Sequence, residues 1–231
     1  MTGTGSRTDA APDNDTAVEP RLAHLSTATL SDALDRLGLP GGLHGLAPLG
    51  PGQRMVGRAF TVRYRPAGDP PGTVGDYLDD VPPGSVVVLD NQGRTDCTVW
   101  GDILTAVAHA KGVAGTVVDG VCRDVHRALG LGYPVYSRGR YMRTGKDRVE
   151  VAGTGDPVAV GGVQVRPGDL LVGDQDGVVV IPAAALDRVL GVAVEIHERE
   201  ESTLAGALAG ATIAEARAAH GYHELQRRGT R

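Results

Sequence analysis

The chain is short of most features that announce a function by themselves. Cys97 and Cys122 are the two cysteines in 231 residues, and neither sits in a Cys-x-x-Cys pair. A disulfide framework and a cysteine-built zinc site are therefore excluded. Aromatic residues make up 3%, with one Trp, one Phe and six Tyr, so the core has to be assembled from Val, Leu, Ala and Ile. The longest apolar runs, Val86–Leu89 and Val178–Ile181, fall far short of the roughly 20 residues that span a bilayer. Positive charge is not in excess: the formal net charge is −5, which gives no global basic footprint for nucleic acid. Missing too are a Gly-x-Ser-x-Gly elbow, a Walker loop and a Gly-x-Gly-x-x-Gly turn, and His197-Glu198 has no second His at helical spacing. Asn14-Asp15-Thr16 has the glycosylation pattern, but no export signal accompanies it. The expected compartment is a reducing cytoplasm.

What is present is ordinary globular material: 41% hydrophobic and 22% charged residues, in a length that fills one substantial core. Residues 1–20 lack apolar periodicity and read as a disordered extension. Leu30, Ala33, Leu34 and Leu37 fall on one face of a helix over Thr27–Leu37, which Gly38 and Pro40 stop. Arg58–Tyr64 alternates like a strand, and Gly75–Asp80 reads as a short helical turn. Ser85–Asp90, Thr116–Val118 and Pro134–Ser137 read as strands, separated by short helices over Asp102–Lys111 and Arg123–Leu129. Asn91–Gly101 reads as a polar loop and Asp119-Gly120 as a turn. After residue 148, short valine-rich runs between Gly, Pro and Asp turns predict hairpins or a small barrel-like layer. A long helix over Ala183–Thr203 and a last one over Ile213–His220 follow, which divides the chain into a tail (1–20), one α/β domain (21–205) and a C-terminal helix and tail (206–231).

Charges of functional interest gather in one stretch. Gly101-Asp102-Ile103-Leu104 opens a short helix, and Arg123-Asp124 follows the next strand, with residues 103–122 between. Each charge has a plain structural meaning. An acid at a helix start is a cap, worth about 1 kcal/mol, and an Arg-Asp neighbour pair is common surface charge. Brought together by one helix–strand–turn unit, they have a second meaning. The N–H groups of Ile103 and Leu104 at a helix start bind a carboxylate, and Arg123 grips one bidentately. Asp124 is a hard oxygen ligand for Mg²⁺, which keeps several waters and takes one or two protein carboxylates. Elsewhere, Asp174-Gln175-Asp176-Gly177 starts like a calcium loop, lacks the downstream pattern and reads as a hairpin turn. The cluster Arg138, Arg140, Arg143, Lys146 and Arg148 is either a solvated loop or a grip for an anionic substrate or RNA. His220 and His223 meet on one helix turn or belong to a solvated tail.

At Gly101-Asp102 and Gly120-Val121-Cys122-Arg123-Asp124 the sequence resembles the family named for regulator of ribonuclease activity A. That family includes class II aldolases acting on 4-hydroxy-4-methyl-2-oxoglutarate and 4-carboxy-4-hydroxy-2-oxoadipate. The resemblance runs on through Ser26–Leu34, Gly57–Val62, Pro167-Gly168-Asp169 and Asp176–Val179, covering about residues 22–200. It implies the swivelling β/β/α fold first known from phosphohistidine domains, in a homotrimer or a hexamer of two stacked trimers with active sites at subunit interfaces. It implies a divalent cation (Mg²⁺ or Mn²⁺) on Asp124, and pyruvate held by Arg123 and Gly101–Leu104. Asp102 would orient or deprotonate a water, and an acid from a neighbouring subunit's long helix, drawn from Glu195, Glu198, Glu200 and Glu201, would complete the site. The implied reactions are retro-aldol cleavage of a small oxoacid and decarboxylation of oxaloacetate. Neither needs a Schiff base, so Lys111 is a poor candidate for one. The alternative the family name implies is a non-enzymatic regulator that binds and inhibits a ribonuclease. A third label attached to such sequences, menaquinone methyltransferase, lacks the glycine-rich nucleotide loop it would need.

Overall fold

The computed structural model describes residues 19–221. The expected extension over 1–20 lies outside them apart from its last two residues, and so does His223. The described chain forms a mixed α/β domain around a strongly curved, nearly closed sheet of eight strands. Its helices are α1 (Glu19–Leu22), α2 (Thr27–Arg36), α3 (Asp102–Ala110), α4 (Val125–Leu131), α5 (Leu186–Leu208) and α6 (Ile213–Ala219). Its strands are β1 (Ala47–Pro48), β2 (Met55–Pro66), β3 (Val86–Thr98), β4 (Gly115–Cys122), β5 (Val135–Arg140), β6 (Val149–Thr154), β7 (Val158–Val160), β8 (Val163–Val165), β9 (Leu170–Gly173) and β10 (Val178–Ile181). The main sheet runs β1-β5-β4-β3-β2-β9-β10, with β6 also paired to β2. The strands β2, β3, β4 and β5 are parallel neighbours, and α3 and α4 make the crossovers β3→β4 and β4→β5.

The valine-rich strands are apolar on both faces because both faces are covered. Along β3, Val86 and Val88 point into a layer closed by the β7–β8 hairpin, where Val158, Val160, Val163 and Val165 pack. Val87 and Leu89 point the other way, into a core shared with Ala108 of α3 and Ala128 of α4. The hairpin β9–β10 repeats the pattern. Val178 and Val180 face the hairpin layer, while Val179 and Ile181 meet α2 and α5 through Leu30, Leu34, Leu190 and Ile196. A β hairpin, a sheet and a helical layer in succession give the β/β/α arrangement expected of the swivelling fold.

Two local expectations are corrected. Asn91–Thr98 is not a loop but the second half of β3, which continues past left-handed Gln92 (φ 55°) and Gly93 (φ 68°) by slipping its register against β4. Asp119-Gly120 is not a turn but lies inside β4. Asp119 can stay there, buried, because Arg138 forms an ion pair with it and the N–H of Gly161 donates to its Oδ2 at 3.1 Å. The chain leaves α4 through left-handed Gly132 (φ 65°). Asp174 sits in the β9–β10 turn as expected. Its carboxylate accepts the N–H and hydroxyl of Thr27 at 2.7 and 2.6 Å, capping α2 from 147 residues away.

Candidate active site

Adjacent parallel strands end side by side, and the chain leaving them forms a crevice there. At the carboxyl ends of β3 and β4 that crevice collects the charged residues singled out above. The connection out of β4 is tied to the one out of β3: the N–H of Arg123 donates to the carbonyl of Trp100 at 3.0 Å. Asp124 then adopts a left-handed backbone (φ 55°), which Asp tolerates better than most residues. Its Oδ2 lies 3.2 Å from Arg123 Nε and 3.4 Å from the N–H of Asp102. The carboxylate at the N-terminus of α3 is thus Asp124, reaching across from the next crossover, where the helix dipole favours negative charge.

Gly101 makes that approach possible. A Cβ there would stand 2.9 Å from Asp124 Oδ2 and 3.2 Å from Arg123 Nε. Its carbonyl accepts the N–H and the hydroxyl of Thr105, at 3.0 and 2.7 Å, which fixes the first turn of α3. The capping position expected of Asp102 belongs to Gly101; Asp102 is the first residue of α3. Asp102 Oδ1 accepts the N–H of Ile103 at 2.8 Å, so that donor, expected to be open to a carboxylate, is already engaged by one.

Gly101, Asp102, Ile103, Leu104 and Arg123 border a cavity of about 430 Å³. Its other walls are Gly72–Asp76, Thr98–Trp100, Thr144 and Lys146. Asp124 borders a separate cleft of about 280 Å³ with Arg140, Tyr141 and Met142, and Arg123 borders both. Trp100 stacks on Tyr133 with ring centroids 6.3 Å apart, and its buried Nε1 has no hydrogen-bond partner among the described residues. Local sequence gave no sign of the Gly72–Asp76 wall, of Trp100 or of Thr144. The glycines at 72 and 75 were the available signal.

The basic cluster divides by role. Arg138 pairs with Asp119, Arg140 donates to the carbonyl of Leu49 at 2.5 Å, and Arg148 donates to the carbonyls of Thr144 and Lys146. Lys146 borders the larger cavity. Lys111 is spent on the carbonyls of Leu78 and Asp79, at 2.9 and 2.6 Å. On α5, Glu195 contacts Arg36 at 3.1 Å and Arg199 at 2.6 Å, while burial and then the neighbouring Asp32 raise the pKa of Glu200.

Among the described residues no three His, Cys, Asp or Glu side chains gather into a metal cage. Asp124 keeps about a third of its side chain exposed. A single accessible carboxylate fits an ion that retains most of its water, as Mg²⁺ does, and not a tetrahedral zinc site. No helix among the described residues is long and apolar enough to cross a membrane.

A family model described as RraA-like, Aldolase/RraA, matches residues 27–180. The chain belongs to the RraA-like family. It is 39% identical over 208 residues to protein DlpA of Legionella pneumophila, covering 88% of this chain and 34% of DlpA, so it spans about a third of that relative. It is 36% identical over 180 residues to a Halalkalibacterium halodurans protein named "Putative 4-hydroxy-4-methyl-2-oxoglutarate aldolase", covering 77% of this chain and 82% of that one. Among solved structures, an uncharacterized protein of Pseudomonas syringae pv. tomato matches with a TM-score of 0.81 and 44% identity, over 87% of this chain and 97% of that chain. Streptomyces coelicolor RraAS2, described as an unusual member of the RNase ES inhibitor RraA protein family, matches with a TM-score of 0.75 and 32% identity, over 81% and 95%.

Proposed function

We propose that this RraA-like protein is a divalent-metal-dependent lyase. It cleaves a carbon–carbon bond in a 4-hydroxy-2-oxoacid with release of pyruvate, and it decarboxylates oxaloacetate through the same pyruvate enolate. The observation that carries this reading is the convergence of Asp102, Arg123 and Asp124 where β3 and β4 end. The aldolase name carried by relatives at this level of identity supports it.

In the retro-aldol direction the 4-hydroxyl loses its proton and becomes a carbonyl, and the C3–C4 electrons move into the pyruvate fragment as an enolate. That enolate takes a proton at C3. Arg123 binds the 2-oxoacid carboxylate and stabilises charge that develops next to it. Asp102, half exposed at the cavity edge, moves protons through a water. Asp124 would hold a Mg²⁺ or Mn²⁺ ion, which would supply positive charge where the negative charge develops. Lys111 takes no part, being held by two carbonyls outside the cavity lining. Ile103 and Met142, 73% and 75% exposed beside the two openings, suit packing of a further copy in a homotrimer or hexamer. In such an assembly Glu198, Glu200 or Glu201 of a neighbour would complete the site.

The test is pyruvate release from oxaloacetate and from 4-hydroxy-4-methyl-2-oxoglutarate, with Mg²⁺ and with EDTA. Asp124→Ala is expected to abolish metal-dependent turnover while leaving the oligomer intact. A variant that stays active, or a wild-type protein with no metal-dependent turnover on either substrate, would overturn the assignment. The description of Streptomyces RraAS2 favours one second reading, a regulator that binds a ribonuclease. Inhibition of a ribonuclease by the Asp124→Ala protein would show binding that does not use the site.

A further inference from the structure

One wall of the larger cavity, the loop through Gly72 and Gly75, is held from behind by a carboxylate that the proposed chemistry does not use. Glu150 lies on β6 beside β2, its side chain 6% exposed. Oε2 accepts the N–H of Gly68 at 3.0 Å and of Gly72 at 2.7 Å, and Oε1 accepts from Arg65 Nε at 2.7 Å. The two backbone N–H groups, then Arg65, hold this carboxyl down at about 2, so it is charged at any assay pH. The approach is close at Gly72, where a Cβ would stand 3.1 Å from Oε2 and the carboxylate would have to give way by a few tenths of an ångström.

The loop is then pinned residue by residue as it enters the cavity wall. The carbonyl of Thr73 accepts the N–H of Val151 at 2.9 Å, and that of Val74 accepts the Tyr64 hydroxyl at 2.7 Å. Gly75 ends against α3, where a Cβ would meet Leu104 Cδ2 at 2.8 Å. In the lyase reading pyruvate is held by the backbone N–H of Leu104 at the helix start, whereas the loop meets the Leu104 side chain. A cavity of about 430 Å³ is of drug-ligand size and exceeds what a three-carbon oxoacid fills.

We propose that Glu150 is a positioning residue for substrate selection. By holding the 68–75 loop against Leu104, it shapes the part of the cavity that receives the fragment beyond the pyruvate unit. This rests on the lyase reading, and it separates two steps. Enolisation of pyruvate needs the end of the site formed by Asp102, Arg123 and Asp124; cleavage of a whole 4-hydroxy-2-oxoacid also needs the wall.

The experiment uses the full chain with Mg²⁺ and reads both steps. Exchange of the pyruvate methyl protons for deuterium, followed by NMR, reports the first. KM and kcat for 4-hydroxy-4-methyl-2-oxoglutarate report the second. Glu150→Gln is expected to raise KM about ten-fold and leave pyruvate exchange within about two-fold of wild type. Gly72→Ala disturbs the same contact from the loop side with Glu150 intact, and is expected to raise KM several-fold; it carries the test if Glu150→Gln does not fold. Unchanged KM in the folded variants, or exchange and cleavage falling together, overturns the proposal. Wild-type protein that performs neither reaction removes the lyase reading itself.

Discussion

Gly101→Ala is the sharpest perturbation of the site, because it adds one methyl group and no charge. The backbone there (φ −151°, ψ −161°) is open to alanine, so the effect on the site is one of contact. The new Cβ would stand 2.9 Å from Asp124 Oδ2 and 3.2 Å from Arg123 Nε, where ordinary contact begins at 3.4 Å. The carboxylate must retreat by 3.4 − 2.9, or about 0.5 Å, and the guanidinium by less. A displacement of about 1 Å costs on the order of 100-fold in rate. Half of it, on a logarithmic scale, predicts a loss of about ten-fold in kcat/KM, or about 1.4 kcal/mol of transition-state stabilisation. Alanine is a poorer N-cap than glycine by about 0.5–1 kcal/mol, which lowers Tm by about 1–4 °C in a domain of this size. The assay is coupled pyruvate release at saturating Mg²⁺, with thermal melts in parallel. A variant with the small fall in Tm but kcat/KM within about two-fold of wild type would refute the idea that Arg123 and Asp124 act from their positions against α3.

Three further outcomes are expected. Asp174→Ala removes a charge-assisted cap from α2 and should cost about 2–3 kcal/mol of unfolding free energy, read in urea with m unchanged. Acid should weaken the fold through two carboxylates. Burial pushes Asp174 up, but the Thr27 hydroxyl and N–H outweigh it and leave its pKa lowered, and Glu150 is held at about 2. Both are depressed in the folded state, so their contributions are complete above the ordinary carboxylate pKa and vanish as pH falls through the folded values. For Glu150 that window runs from about 4.5 down to about 2. Melts across it should show wild type losing stability more steeply than Glu150→Gln. Lys111→Met should keep kcat within about two-fold, and borohydride with pyruvate should trap no adduct on the wild-type protein, as expected where no Schiff base forms.

Periodicity located the elements whose burial is local in origin. Leu30, Ala33 and Leu34 do form the buried face of α2, and the VVVL and VVVI runs are the two-faced strands β3 and β10. What stayed hidden was set by partners far along the chain. Asp119 looks like a turn residue until Arg138 and Gly161 are beside it. The polar half of β3 looks like a loop because its left-handed residues and slipped register break the strand pattern. That Asp102, Arg123 and Asp124 lie together was legible from their spacing, since one crossover unit delivers all three, while the roles proposed for them rest on the family resemblance. The wall through Gly72 and Gly75, held by Glu150, was not legible, because residue 150 lies 78 positions beyond residue 72 and no local pattern links them.

The bond from Asp174 to Thr27 has a topological consequence. It joins the opening of the segment shared with the RraA-like family to its closing hairpin, and Arg36–Glu195 and Arg21–Asp187 fasten the flanking pieces in the same way. A chain whose early helices α1 and α2 already meet the late helix α5 and the β9–β10 turn does not need its covalent order to stay the same. Opened at the exposed 155–156 turn, with residues 19 and 221 bridged by a flexible linker, it should refold as a circular permutant with the crevice between β3 and β4 undisturbed.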